Sequence, residues 1–138
     1  MSRYKVFIDG ASSGNPGPAG VGVVIKDNQG KTLHSFSFFI GEATNNIAEY
    51  FSLLLALNEC LLLNLKNIDI YSDSQLVIKQ LKGEYKIRDN TLKVLYKIVK
   101  YLTTKFDRIG YNYIEREKNK EADKLASQAI REHKRMLF

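Results

Sequence analysis

Apolar and polar residues change period several times along the chain, and each change marks an element. Residues 4–9 alternate loosely, with Val6 and Ile8 apolar, which predicts a strand ending at Asp9. Residues 11–20 hold Pro16, Pro18 and several glycines and predict a loop. Residues 21–26 and 31–40 predict two further strands, joined by the turn Asp27-Asn28-Gln29-Gly30, so the chain opens with an antiparallel meander. The spacing then shifts to three and four. Ile47, Tyr50, Phe51, Leu54, Leu57 and Leu61 predict an amphipathic helix over residues 45–63, with Thr44 or Asn45 as its cap. A short buried strand is expected over 68–72 and a helix over 75–81 that Gly83 stops. A third helix over 91–102 places Leu92, Leu95, Val99 and Leu102 on one face, and residues 108–115 alternate again. Asn119 is expected to cap a last helix reaching about His133, packed through Ala122, Leu125, Ala126, Ala129 and Ile130.

The order βββαβααβα defines an α/β domain spanning 1–138. Helical connections between the later strands require parallel pairing and right-handed crossovers. The expected architecture is a mixed five-stranded sheet, three strands antiparallel and then two parallel, with helices on both faces.

A chain of 138 residues, 44% hydrophobic and 26% charged, can bury an ordinary core without staples. Cys60 is the one cysteine and lies in a leucine-rich stretch, so a buried thiol is expected, and no Cys/His cluster offers a zinc site. Residues 1–7 lack the long apolar core of a signal peptide. The apolar run 51–65 is interrupted by Asn58, Glu59 and Asn64 and is too short to span a bilayer. These features predict a soluble, cytoplasmic monomer with no membrane contact. The formal net charge of +6 points toward a polyanionic partner, because phosphate contacts release counterions and steer association.

Against that basic background, four acids fall at expected element ends. Asp9 ends the first strand and Asp73 directly follows the fourth, while Glu49 and Asp123 lie in the first turns of the first and last helices. In open sheets with crossover helices, such strand ends frame the ligand crevice. Each acid also has a plainer reading. Asp9 before Gly10 suits a turn, Asp73 before Ser74 suits a helix cap, and Glu49 and Asp123 suit the positive ends of helix dipoles. Taken together they favour a shared cleft. Clustered carboxylates repel, and some stay protonated unless a cation neutralises them. An all-oxygen set suits magnesium or manganese, and two such ions can clamp the attacking and leaving oxygens of a phosphodiester.

Four segments carry a resemblance: Ile8-Asp9-Gly10-Ala11-Ser12 with Gly14-Asn15-Pro16-Gly17; Thr44-Asn45-Asn46 leading to Glu49; Tyr71-Ser72-Asp73-Ser74-Gln75; and Asn119-Lys120-Glu121-Ala122-Asp123-Lys124-Leu125-Ala126. In this order, over essentially the whole chain, they resemble type 1 ribonuclease H in its short form. The resemblance implies an endonuclease that hydrolyses the RNA strand of an RNA–DNA hybrid with two Mg2+ or Mn2+ ions. It leaves 5′-phosphate and 3′-hydroxyl ends, and no organic cofactor is needed. It implies that Asp9 bridges both ions, that Glu49 and Asp73 hold the ion on the leaving-group side, and that Asp123 holds the ion that activates water. Gly10, Ala11 and Ser12 would approach the RNA by backbone, and bulk at Gly10 would interfere. Asn46 and Gln75 would reach across the minor groove, where 2′-hydroxyls distinguish RNA from DNA. Asn15, Thr44 and Asn45 would touch nucleic-acid backbone, with Thr44 a candidate for a DNA phosphate pocket.

Two departures stand out. The basic, tryptophan-rich insertion of many bacterial members is missing: residues 83–90 are short and the chain has no Trp. Lys79, Lys82, Lys86 and Arg88 could do part of its work or simply form a solvated face. The loop Arg116-Glu117-Lys118-Asn119 has no histidine where many members carry one, as in other short members; Glu115, Arg116 and Glu117 are the candidate substitutes. Rival readings are an inert hybrid-binding module and a related-fold nuclease. A 3′–5′ exonuclease generally carries an acid two residues beyond the first, and Ala11 occupies that place. A transposase or resolvase core usually carries additional DNA-binding segments.

Overall fold

The computed structural model describes residues 2–136; Met1, Leu137 and Phe138 lie outside the described residues. The elements are β1 (Tyr4–Ser12), β2 (Gly17–Lys26), β3 (Thr32–Ala43), α1 (Asn45–Leu62), β4 (Asn67–Ser72), α2 (Gln75–Leu81), α3 (Asn90–Thr103), β5 (Arg108–Tyr113) and α4 (Lys120–Met136), with a single 3-10 turn at Arg116–Lys118. The sheet order is β3-β2-β1-β4-β5. β2 pairs antiparallel with β1 and β3, and β4 pairs parallel with β1 and β5, as the element order predicts.

One face of the sheet is aliphatic. Val6 and Ile8 of β1, Val23 and Ile25 of β2, and Ile68 and Ile70 of β4 pack with Tyr50, Leu53, Leu57 and Cys60 of α1 into the main core. α3 backs this layer through Leu92, Leu95 and Val99. The opposite face is built for close approach by α4, whose buried residues are mainly alanines. A Cβ on Gly22 would lie 2.1 Å from the Ala122 carbonyl oxygen, and one on Gly20 would lie 2.6 Å from that of Ala126. Two glycines on β2 thus let the helix backbone settle directly on the strand. Among the described residues, no helix is long and apolar enough to cross a membrane.

Several boundaries differ from the pattern-based expectation. The expected loop 11–20 is mostly strand, because Gly10, Ala11 and Ser12 pair with Val21, Gly20 and Ala19 and only residues 13–16 turn. Asp9 therefore lies inside β1 rather than at its end, opposite Gly22. β3 runs past Ile40 to Ala43 through a register shift: Ala19 pairs with Gly41 and Gly20 with Phe39, and Gly41 takes φ +86°. β5 stops at Tyr113 rather than Glu115, and α4 continues past His133.

Candidate active site

The site forms where β1 and β4 meet the starts of α1 and α4. Thr44 caps α1, its hydroxyl accepting from the Ile47 N–H at 3.2 Å. That start places Glu49 in the helix's second turn, buried, where the Gly10 N–H donates to its Oε1. Glu49 is thus no exposed dipole partner. Ser74, not Asp73, caps α2, accepting from the Val77 N–H at 3.3 Å, and this leaves the Asp73 carboxylate free for the cleft. Asp9 shares the strand face of its pairing partner Gly22, which is the face α4 covers. Asp123 lies in the first turn of α4.

Asp9, Glu49 and Asp73 each offer a carboxylate oxygen within 4.8 Å of the others. Asp123 joins them in lining one open cleft of about 420 Å³, together with Gly10, Ala11, Ser12, Asn45, Asn46, Ser74 and Arg116. The quartet expected from sequence therefore opens on a single cleft. Arg116 Nη2 lies 3.6 Å from Asp123 Oδ1, the only cation paired with a member of the quartet among the described residues. Its guanidinium is well exposed.

Burial raises the Asp9 carboxyl to about 10, with the negative charges of Glu49 and Asp73 adding to it. Burial likewise raises Glu49 to about 7, although the Gly10 N–H opposes the shift. Asp9, and in part Glu49, keep their protons at neutral pH unless a cation replaces them. Hard, closely set carboxylate oxygens fit a magnesium- or manganese-type ion. This has a consequence for stability. Both folded values lie above the ordinary carboxylate range, so the folded state binds protons more tightly than the unfolded chain. The contribution of these two groups to stability is full below about pH 4 and declines as pH rises toward about 7 for Glu49 and about 10 for Asp9. In chelator, Tm is expected to fall between about pH 5 and pH 8, and less so in Asp9→Asn. Added Mn2+ should raise Tm more at the higher pH. Parallel pH profiles for wild type and Asp9→Asn would contradict this.

The candidate nucleic-acid contacts divide into two groups. Gly10, Ala11, Ser12, Asn45 and Asn46 line the cleft, whereas Asn15, Thr44 and Gln75 do not. Asn15 Oδ1 accepts from the Asn45 N–H at 3.0 Å, and Asn45 Oδ1 accepts from the Ser12 N–H at 2.9 Å. These two side chains clasp the β1–β2 turn to the start of α1. Thr44 acts as the α1 cap, and Gln75 is exposed on the first turn of α2 beside Ser74. Gly10 also has a role that its sequence motif does not disclose. A Cβ there would stand 2.2 Å from the Ala48 carbonyl carbon and oxygen, so α1 itself requires glycine.

Asn119 also departs from expectation. Its side chain does not cap α4: Nδ2 donates to the Ile8 carbonyl and to Asp73, while Oδ1 is buried without a partner. Asn119 still holds the N-cap position, its carbonyl accepting the first intrahelical bond from the Asp123 N–H at 3.1 Å, but its side chain is turned away from the helix.

The sheet order and its acidic cleft define the reverse transcriptase-like class, whose family model matches residues 7–129. Ribonuclease HI of Halobacterium salinarum is 39% identical over 128 residues, covering 93% of this chain and 64% of the relative. A bifunctional protein of Mycobacterium tuberculosis is 39% identical over 129 residues, of which this chain spans only 35% of the length. Among solved structures, RNase H1 of H. salinarum superposes with a TM-score of 0.92 at 38% identity, covering 94% of this chain and 98% of that one. The N-terminal RNase H domain of the M. tuberculosis protein superposes at 0.94 with 34% identity, covering all of both chains. LC11-RNase H1, solved in complex with an RNA/DNA hybrid, gives 0.90 at 38% identity, covering 94% of this chain and 98% of that one. The chain belongs to the type 1 ribonuclease H family.

Proposed function

We propose that this protein is an endonuclease that hydrolyses the RNA strand of RNA–DNA hybrids, leaving 5′-phosphate and 3′-hydroxyl ends. The observation that carries the reading is the convergence of Asp9, Glu49 and Asp73 within 4.8 Å in a cleft that Asp123 also lines. In this reading the quartet would hold two Mg2+ or Mn2+ ions, Asp9 serving both, Glu49 and Asp73 one and Asp123 the other. Bound there, the pair would supply an activated water and charge stabilisation for the leaving 3′ oxygen. Gly10, Ala11 and Ser12 present backbone to the RNA strand, and Asn46 and Gln75 read the minor groove. Asn45, aligned by Asn15, presents its amide to the phosphodiester backbone, and Thr44 adjoins the DNA strand. The complex between a hybrid and the 38% identical LC11-RNase H1 supports this choice of substrate. Residues 1–138 act as one catalytic domain, working as a cytoplasmic monomer.

Charge distribution supports a phosphate-gripping surface. Residues 79–105 contain eight Lys or Arg and two acids, a surplus of six that equals the net charge of the whole chain. The segment includes Lys79, Lys82, Lys86 and Arg88, all beyond the acidic cleft. The test is an end-labelled hybrid with Mg2+ or Mn2+, beside duplex DNA, duplex RNA and single strands. Cleavage of the hybrid's RNA strand alone is expected, with KM rising steeply with salt. Asp73→Asn should be inactive and folded. Full activity in that variant, or equal cleavage of duplex DNA, would reject the assignment.

A further inference from the structure

Asn119 is 2% exposed and stands immediately before α4. Its Nδ2 donates to the Ile8 carbonyl at 2.9 Å and to Asp73 Oδ2 at 3.1 Å. Ile8 precedes Asp9 on β1, Asp73 follows β4, and Asp123 lies four residues further along the chain, hydrogen-bonded to the Asn119 carbonyl. One residue therefore touches or adjoins three of the four acids, Asp73 and the Asp9 strand through its side chain and Asp123 through its backbone. An amide nitrogen has two hydrogens, and these two acceptors use both. Turning the amide over would set its oxygen against a carbonyl and a carboxylate, so the orientation is determined. The oxygen, which a helix cap would have used, has no partner among the described residues. What the fold employs here is the donor end.

Asp73 needs such a partner. Its carboxylate lies within 4.8 Å of those of Asp9 and Glu49, and its bond from Asn119 is the one side-chain hydrogen bond it makes among the described residues. Without it, the Asp73 side chain is free to rotate away from the other acids, and the oxygen cluster opens. We infer that Asn119 is a positioning residue, holding the Asp73 carboxylate at a fixed separation from Asp9 by tying it to the β1 backbone at Ile8. The inference rests on the metal-dependent reading above, because the cluster that Asn119 keeps together is the proposed ion site. Partners that orient metal-binding carboxylates in this way typically matter 10- to 100-fold in metal affinity or activity.

The experiment compares wild type with Asn119→Ala in three measurements: Mn2+ binding by calorimetry, hybrid cleavage as a function of Mn2+ concentration, and the melting transition. Asn119→Ala is expected to bind Mn2+ roughly 10- to 100-fold more weakly. It should lose cleavage by a similar factor at limiting metal and regain most of it at saturating metal, with the KM for hybrid within about two-fold of wild type. Recovery by metal separates positioning from a purely structural role, which excess metal would not correct. Unchanged Mn2+ affinity in a folded Asn119→Ala would overturn the inference. Should that variant fail to fold, Asn119→Ser retains one donor at the helix start and is expected to show an intermediate loss; wild-type affinity there would equally overturn it. A wild-type protein that neither binds Mn2+ nor cleaves hybrid would instead reject the metal-dependent reading itself.

Discussion

Asp9→Asn is expected to lower hybrid cleavage by about a thousand-fold or more while leaving the metal-free protein at least as stable as wild type. Asp9 is buried on the central strand, between the α1 and α4 sides of the cleft. If it bridges two ions, its loss removes several kcal/mol of transition-state stabilisation, and each 1.36 kcal/mol corresponds to about ten-fold in rate. Stability should move the other way. The ionised carboxylate is costly where it sits, since burial, Glu49 and Asp73 all favour its protonated form. A neutral amide of the same shape avoids that cost, in keeping with the general trade between function and stability at charged sites. Cleavage rate and thermal melting at about pH 8 in chelator together decide the matter. A variant that lost stability in parallel with activity would indicate that Asp9 serves the fold rather than the chemistry.

Gly10→Ala should damage both properties. The added methyl would lie 2.2 Å from the Ala48 carbonyl carbon and oxygen and 2.5 Å from the Glu49 nitrogen. These are backbone atoms of a helix pinned by the Thr44 cap and by Tyr50, Leu53 and Leu57 in the core, so no side chain can swing aside. Overpacking of a filled interior costs about 1–3 kcal/mol, occasionally more, and this contact falls at the upper end. For a chain of this size a loss of about 3 kcal/mol lowers Tm by roughly 10 °C. The displaced atoms carry Glu49, and misplacement of about 1 Å at a reacting centre costs on the order of a hundred-fold. Activity should therefore fall by about that factor even at temperatures where the variant is fully folded. A variant with wild-type Tm and cleavage would mean that α1 tolerates a shift away from β1.

Sequence pattern alone yields most of the architecture. α1 is legible because three-and-four spacing over 18 residues coincides with a capping Thr44, and the parallel half of the sheet follows from the helices that separate β4 and β5. The central acids are legible because each sits beside a change of element. What pattern conceals is whatever depends on a second segment. Gly17 and Pro18 look like loop residues, yet both belong to β2, because the Ser13 N–H bonds to the Pro18 carbonyl at 2.9 Å and closes the turn early. Ile40 looks like a strand end because the register shift falls on it, between the Phe39 and Gly41 pairings, and breaks the alternation. Asn119 reads as a cap from its position alone; its actual contacts lie 111 residues back at Ile8 and 46 back at Asp73. Asn15 and Asn45 read as nucleic-acid contacts, and only their pairing across 30 residues shows that their carbonyl oxygens are already engaged in holding the turn. In sequence Arg116 is indistinguishable in promise from Glu115 and Glu117, and only its approach to Asp123 sets it apart.

The whole account depends on carboxylates from β1, α1 and the end of β4 binding divalent cations together. Calorimetric titration of Mn2+ into wild type and Asp9→Asn at about pH 8 addresses this directly. Saturable binding to wild type, accompanied by proton release and abolished in the variant, is the predicted result. Equal binding to both proteins, or none to either, would contradict it.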